Sequence, residues 1–157
     1  MGTKADFYTK DGDVLIWQGS IEWEGAENHI PDSVIQSSCN EEFLINLETY
    51  FKKKRDAIPS NKGWPWNWDS SKYTDYAYVM VPERGAVYIS RHNSPCYTIY
   101  DYRNYMKRRK SAREEGKSIE DFFSFVDKVS PFTLSFPKMK DEQSQKIRFS
   151  NPQGEDR

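Results

Sequence analysis

The residues best suited to chemistry are concentrated in one short stretch of the chain. Asp69 and Asp75 flank Ser70, Ser71 and Thr74, so two carboxylates lie close in sequence to three hydroxyl groups. A carboxylate beside a hydroxyl can act as a general base, which makes the stretch a candidate site for a small enzyme or a ligand-binding domain. Aspartate and serine also form ordinary turns, because their side chains bond to the backbone nearby. The pattern leaves both interpretations open and favours the turns.

Other reactive residue types are sparse. His29, His92, Cys39 and Cys96 are the whole set of histidines and cysteines, and their spacing is not that of a zinc site. A Cys96 nucleophile with either histidine as base would need convergence in three dimensions. The chain has no phosphate-binding loop and no GxGxxG, GxSxG or HExxH motif. We therefore predict no metal and no cofactor, expect reduced packing cysteines, and lean toward a protein without catalytic activity.

Three of the chain's five tryptophans, Trp64, Trp66 and Trp68, come directly before Asp69. Pro65 fixes its own φ and pushes Trp64 into an extended conformation, so the three indoles are expected on one side of an extended segment. As structure, the rings would cover the end of a core that is poor in aliphatic residues. As function, exposed rings would stack on bases or sugars, or anchor a protein interface. We predict a mostly buried row, because three exposed indoles would form an unusually large apolar patch.

The run from Gly63 to Tyr78 reads Gly-Trp-Pro-Trp-x-Trp-Asp-x-Ser-x-x-Thr-Asp-Tyr-Ala-Tyr. Together with Ala5 to Tyr8 and Gly19 to Trp23, it resembles a family of small bacterial proteins associated with phage and plasmid-borne genes. The resemblance covers roughly residues 4 to 90, and Phe136 to Met139 continue it. It carries no known activity and therefore transfers no catalytic residue. It implies an accessory protein of a mobile element.

Charge is unevenly distributed along the chain. The net charge is only −1, yet residues 11–51 contain nine acids and no lysine or arginine, whereas residues 52–117 hold fifteen bases and seven acids. Six bases fall between residues 103 and 113: Arg103, Lys107, Arg108, Arg109, Lys110 and Arg113. The acidic and basic parts are either solvated faces that attract each other within one fold or surfaces that steer a partner of opposite charge.

Strands are predicted in the first and middle thirds of the chain. Asp11-Gly12-Asp13 indicates a hairpin between strands over residues 4–9 and 14–21. A further strand is predicted over Tyr76 to Val81, with a return strand from Ala86 to Ser90 and an extension of the sheet at Tyr97 to Tyr100. Alternation over Pro131 to Phe136 indicates an edge strand.

Helices are predicted around apolar residues at helical spacing. Asn40 is the expected N-cap of a helix from about 41 to 56, with a buried stripe of Phe43, Leu44, Leu47, Tyr50 and Phe51. Asp101 is expected to cap a helix from Tyr102 to about Glu115, whose apolar edge is narrow. A short helix is predicted from Ser118, with Ile119, Phe122, Phe123 and Val126 on one stripe.

These elements predict one α+β domain over residues 1–150, with an antiparallel sheet of about five strands and two to three helices packed on one face, followed by a disordered polar tail at 151–157. No apolar run approaches the roughly 20 residues of a membrane span, and the N-terminus lacks the apolar region of a signal peptide. We therefore expect a cytoplasmic protein with no membrane partner.

The leading functional hypothesis is a non-catalytic interaction module that binds a protein. With the resemblance, its natural form is an inhibitor or accessory of a phage or mobile element that acts on a host system handling nucleic acid. The candidate binding residues are Trp64, Trp66, Trp68 and Asp69 together with the six bases of residues 103–113. The alternatives are a single-stranded nucleic-acid-binding protein that uses those bases, and a small enzyme or ligand-binding domain that uses the Trp/Asp/Ser stretch.

Overall fold

A sheet of six strands is the centre of the fold. The computed structural model describes residues 2–118 and 134–139. The strands are β1 (Ala5–Asp11), β2 (Val14–Ile21), β3 (Ala57–Pro59), β4 (Tyr76–Val81), β5 (Ala86–Arg91) and β6 (Tyr97–Thr98), in the order β3-β2-β1-β4-β5-β6. The predicted α+β class is confirmed, with six strands rather than about five.

The sheet is mixed, because β1 and β4 run parallel while the other neighbouring strands are antiparallel. A parallel pair needs a long crossover, and the chain between β2 and β4 supplies one through two helices and β3. The prediction of a wholly antiparallel sheet was therefore too simple. Hairpin signals reveal neighbours in sequence, but they do not reveal how distant strands pair.

The predicted hairpin of β1 and β2 is confirmed. Gly12 closes it with φ of +59°, a left-handed conformation that glycine adopts without steric cost. The register shifts once: Phe7 lies opposite Gly19 and Tyr8 opposite Trp17, so Gln18 is the extra residue of a bulge. Because of the bulge, Ile21 packs on the helical face although Leu15 and Trp17 pack on the other face.

Three helices accompany the sheet: α1 (Asp32–Ile35), α2 (Asn40–Lys53) and α3 (Ile99–Glu114). Their apolar residues pack with those of the strands in one buried cluster, as predicted for a single helical face. The cluster includes Phe7, Val34, Ile35, Phe43, Leu47, Tyr78, Met80, Ile89, Tyr102 and Tyr105. The described residues thus form one domain around one sheet.

Several predicted boundaries in the helices are wrong. The N-cap of α2 is Cys39, not Asn40, and the helix ends at Lys53, because Lys54 is extended and its ammonium bonds to Asp56 at 2.9 Å. Leu44 is 39% exposed and does not belong to the buried stripe. The cap of α3 is Thr98, whose hydroxyl accepts a hydrogen bond from the Asp101 amide at 3.1 Å.

The opposite face of the sheet is covered by irregular chain. Side chains of the irregular segments, from Trp64, Phe136 and Met139, pack there against six residues of the strands: Tyr8, Leu15, Trp17, Val79, Val81 and Tyr88. The amide of Met139 donates to the carbonyl of Asp69 at 2.6 Å. Residues 134–136 are not a strand, so the described part of the predicted edge strand is wrong. The rest of that strand, most of the helix predicted from Ser118 and the tail lie outside the described residues.

Candidate functional site

The segment from residue 63 to 75, here called the tryptophan loop, links β3 and its following turn to β4. Its backbone bends repeatedly from residue 66 onward and does not form the extended row that was predicted. The three indole rings therefore pack in two separate places. Trp66 and Trp68 stack at a centroid distance of 5.5 Å, while Trp64 meets Trp17 of β2 edge-on at 5.2 Å.

Each of the three indole N–H groups in the loop has an acceptor inside the fold. Trp64 donates to the carbonyl of Trp68 at 2.6 Å, and Trp68 donates to the hydroxyl of Thr74 at 2.9 Å. Trp66, which is buried, donates to Oδ1 of Asp6 at 2.7 Å. Trp64 and Trp68 are half-buried. The loop therefore uses its tryptophans for its own packing, with partial faces of two rings left to solvent.

Asp6 of β1 is the buried acceptor at the centre of this arrangement, with no exposed surface. Besides Trp66, the Ser20 hydroxyl donates to its Oδ1 at 2.5 Å and the Ser71 hydroxyl donates to its Oδ2 at 2.6 Å. No lysine or arginine among the described residues forms an ion pair with it. Burial raises the pKa of Asp6, and the hydrogen bonds from Ser20 and Ser71 oppose that rise.

The hydrogen bonds around Asp6 have a defined direction. Ser71 gives its only hydroxyl hydrogen to Asp6, so in its 2.5 Å contact with Tyr8 the tyrosine must be the donor. By the same argument Ser20, which donates to Asp6, accepts from the indole of Trp17 at 3.0 Å. The carboxylate of Asp6 on β1 thus accepts from β2 and from the tryptophan loop, and ties the loop to the sheet.

The acid and hydroxyl residues singled out in the sequence have mainly structural partners. Ser70 caps a short turn by accepting from the Lys72 amide, and Asp75 accepts from the Lys4 amide at 2.9 Å. Ser71 and Thr74 are buried and bonded within the loop and to β1. These contacts fit the interpretation of the stretch as turns. Asp69 is half-buried beside the Met139 amide.

Asp6 itself was missed by sequence reasoning. The available signal was an acid in the middle of a strand whose flanking residues, from Ala5 to Tyr8, are otherwise apolar or aromatic. A carboxylate in such a strand either faces water or has dedicated partners. Its partners come from two other segments, β2 and the tryptophan loop, so the sequence could not reveal them.

The thiols and histidines do not assemble into a reactive site in the described part of the chain. Cys96 is buried, and burial raises the pKa of its thiol to about 12, far from the thiolate form that nucleophilic chemistry requires. Cys39 is exposed and reduced. Within residues 2–118 and 134–139, no three histidine, cysteine or acidic side chains are grouped to hold a metal ion.

The basic residues of α3 fall into two groups. Arg103, near the start of the helix, bonds to the buried carboxylate of Glu27 at 2.5 Å and to Asp32 at 3.1 Å. Beyond it, Lys107, Lys110 and Arg113 are exposed and form no ion pair with a described residue. Arg108 is exposed and Arg109 half-buried. We call the segment from Lys107 to Arg113 the basic surface of α3.

The apolar side of α3 is short. Ile99, Tyr102 and Tyr105 are buried and Met106 packs partly against them, whereas the last two turns carry no buried residue. The core therefore fixes only the first half of the helix. Arg103 is the residue through which α3 meets Glu27 and Asp32 of the acidic part of the chain.

No protein-family model, no curated protein and no solved structure matches the chain. None of the described helices is long and apolar enough to cross a bilayer.

Proposed function

We propose that this protein is a non-catalytic interaction module that binds an acidic surface of a partner protein through the basic surface of α3. The observation that carries the proposal is the contrast along this helix. Arg103 is held by two acids of the fold, whereas Lys107, Lys110 and Arg113 face solvent without an ion pair to described residues. A cluster of exposed charge that the fold does not use is suited to steering a partner of opposite sign.

The tryptophan loop supports this choice because its polar groups are already bonded within the protein. Its indole donors and hydroxyls are bonded inside the fold, and Ser70, Ser71 and Thr74 are buried. A substrate would have to displace these contacts to reach the hydroxyl groups. This burial weighs against a small enzyme or ligand-binding domain at the loop and favours a scaffold that presents α3.

The biological setting of the proposal rests on the resemblance to proteins of phage and plasmid-borne genes. In that setting the module is a cytoplasmic inhibitor or accessory protein that acts on a host component which handles nucleic acid. The acidic partner surface would then belong to that component.

The proposal is tested with a charge-reversal variant. The variant combines three substitutions of exposed residues, Lys107→Glu, Lys110→Glu and Arg113→Glu. It leaves Arg103 and all buried residues unchanged. Wild type and variant serve as baits in parallel, and a partner recovered by wild type is purified. We expect the purified partner to bind the variant at least about tenfold more weakly. Equal binding by both proteins would overturn the proposal.

A second candidate is single-stranded nucleic-acid binding by the same helix. It is favoured by Tyr100, which is 73% exposed and lies seven residues before Lys107, so ring and charge share one helical face. A binder that contacts about five phosphates of a single strand would lose affinity with a log-log salt slope of about −3.5. The triple variant would flatten this slope. Absence of binding to single- and double-stranded probes at low salt would remove this candidate.

A further inference from the structure

The outer edge of β2 has no paired strand over residues 14–18 within the described part of the chain. β3 pairs only with Gly19–Ile21, and no other described strand lies beside Val14–Gln18 on the side away from β1. In an antiparallel ladder, alternate residues point their N–H and C=O groups away from the paired strand. The edge therefore offers backbone donors and acceptors to an added strand.

This edge lacks the features that usually protect a free strand. Its five residues, Val-Leu-Ile-Trp-Gln, include no charged residue and no proline. Val14 is 60% exposed and Ile16 is 44% exposed. Leu15 and Trp17 pack on the side of the tryptophan loop, so Val14 and Ile16 point to the helical side of the sheet. An added strand would find apolar side chains beside it on that side.

A groove of about 540 Å³ adjoins the open edge on the helical side. It lies between α2 and the end of the sheet formed by β2 and β3. Its lining includes Gln18 of β2, Leu44 and Phe51 of α2, and Pro59 of β3. Leu44, which the sequence placed in the buried stripe, is the exposed apolar residue of this groove. The groove is suited to side chains from alternate positions of an extended segment.

The charge around the edge selects the kind of segment. Asp11 and Asp13 are exposed at the adjoining hairpin turn, and Glu48 lines the groove. Lys52 also lines the groove and pairs with Glu48 at 3.8 Å, so these two charges offset each other and the acids of the turn remain. The whole of residues 11–51 contributes acids and no lysine or arginine. A ligand with positive charge is therefore favoured over an acidic one or a second copy of the same acidic edge.

We propose that the β2 edge binds, by strand addition, an extended segment of a partner protein in which apolar residues alternate with lysine or arginine. Apolar side chains enter the groove beside Leu44 and Phe51. The backbone pairs with Val14–Gln18. The basic side chains, at the intervening positions, point to the other face of the sheet, and the exposed Asp11 and Asp13 of the hairpin turn attract them. This site is separate from the basic surface of α3, so it does not depend on the function proposed above.

The first test uses a fluorescent peptide of about eight residues in which lysine and valine alternate, followed by fluorescence anisotropy with the full chain. We expect binding that a glutamate–valine peptide does not show. Ile16→Lys should weaken it by about tenfold or more, since a lysine on the edge opposes both pairing and the charge of the peptide. Val14→Lys should act in the same direction and serves as the second variant.

The matched control is Ile45→Lys, because Ile45 is also exposed and apolar but is not among the residues that line the groove. It adds the same charge and should change the affinity by less than about twofold. The triple variant of α3 should bind the peptide as wild type does. Lack of binding by the lysine–valine peptide, or an equal loss in Ile45→Lys and Ile16→Lys, would overturn the proposal.

A second measurement distinguishes strand addition from simple charge attraction. Two versions of the peptide are N-methylated at alternate residues, one set for each edge of the peptide strand. We expect one version to lose binding and the other to keep it, because only one edge of the peptide pairs with β2. Equal behaviour of the two versions would contradict strand addition. Sedimentation showing a wild-type dimer that Ile16→Lys dissociates would assign the edge to a second copy and overturn the proposal.

Discussion

Asp6 holds a carboxylate in a part of the protein where no described cation compensates it. The hydroxyls of Ser20 and Ser71 and the indole of Trp66 replace the water that an exposed carboxylate would have. Such a group is costly to bury and also costly to remove, because its donors would then lack an acceptor. At this scale the network is a structural tie, and its properties can be measured directly.

The first prediction concerns the removal of that acceptor. Asp6→Ala should lower the free energy of unfolding by roughly 3 kcal/mol, since several buried donors lose their partner at once. Glu22→Ala, at an exposed acid, is the control and should change it by less than about 0.5 kcal/mol. Urea denaturation of both variants measures the difference. A variant of Asp6 as stable as the control would show that the network does not hold the loop.

The second prediction concerns pH. The pKa of Asp6 in the folded protein lies above its ordinary value near 3.8, chiefly because of burial. The stability that Asp6 contributes is thus fully present below that ordinary value and is lost as the pH rises through the folded pKa. Partial burial raises the pKa of Asp56, but the hydrogen bonds from Lys54 and from backbone amides, together with the charge of Lys54, outweigh that rise. The pKa of Asp56 is therefore lowered, and its contribution to stability is lost as the pH falls.

The contributions of Asp6 and Asp56 to stability change with pH in opposite directions. Comparing the stability of wild type with that of Asp6→Asn between about pH 4 and pH 7 isolates the contribution of Asp6. Because Asp56 is common to both proteins, its effect cancels in the difference. We expect the stability of wild type relative to Asp6→Asn to fall as the pH rises. Denaturation at several pH values measures it, and a difference that stays constant with pH would contradict a raised pKa at Asp6.

At the scale of elements, the tryptophan loop takes the place of a helix on one face of the sheet. It has little regular structure, and its rigidity derives from ring packing and from bonds to Asp6 and Thr74. The helices cover the other face through aliphatic and aromatic side chains. Helices therefore cover one face of the sheet, and the tryptophan loop, bonded to the buried Asp6, covers the other.

The third prediction tests how much the loop depends on its buried ring. Trp66→Ala should lower the free energy of unfolding by roughly 3 to 5 kcal/mol, as large aromatic truncations in cores do. Trp23→Ala is the matched control, because Trp23 is 52% exposed. Thermal or urea unfolding of the two variants gives the comparison. If Trp66→Ala unfolds like the parent while partner binding is lost, the loop is a binding surface and our structural interpretation is wrong.

Elements with strong local signals could be predicted, and those fixed by distant contacts could not. The hairpin at Gly12 and the strand at Tyr76–Val81 follow from turn residues and β-branched or aromatic runs, and both are confirmed. β3 was missed because three residues containing a proline give almost no signal, and it exists because it pairs with Gly19–Ile21. The length of α2 was overestimated because Lys54 has partners in Glu24 and Asp56.

For the candidate binding residues, too, local features could be predicted from the sequence and distant contacts could not. Their positions on the loop and on α3 could be predicted from composition and periodicity. Which of them the fold already uses could not. Arg103 is distinguished from Lys107 only by the proximity of Glu27 and Asp32, which lie more than 70 residues away in sequence. Asp6 depends likewise on Ser20 of β2 and on Trp66 and Ser71 of the tryptophan loop.

At the scale of the whole molecule, the two charged parts of the chain meet at few places. Arg103 joins α3 to Glu27 and Asp32, and Lys54 joins the end of α2 to Glu24. Lys107, Lys110 and Arg113 have no ion pair among the described residues, and Asp11 and Asp13 are exposed on the β1–β2 turn. The domain thus presents an acidic edge and a basic helix, and we propose a partner of opposite charge for each.

The fourth prediction concerns the stability of the charge-reversal variant of α3. Because Lys107, Lys110 and Arg113 are exposed, their replacement by glutamate should change the free energy of unfolding by no more than about 1 kcal/mol in total. Chemical denaturation and circular dichroism check that the variant is folded. A large loss of stability would mean that these residues have a role inside the fold.

The most direct test of the central claim is the association rate of the partner protein, measured by stopped flow at two ionic strengths for wild type and for the triple variant of α3. We predict that association with the variant is slower and less sensitive to salt, because exposed charges at an interface act mainly through the rate of encounter. Rates for the variant equal to those of wild type at both ionic strengths would contradict the claim that the basic surface of α3 is the docking surface.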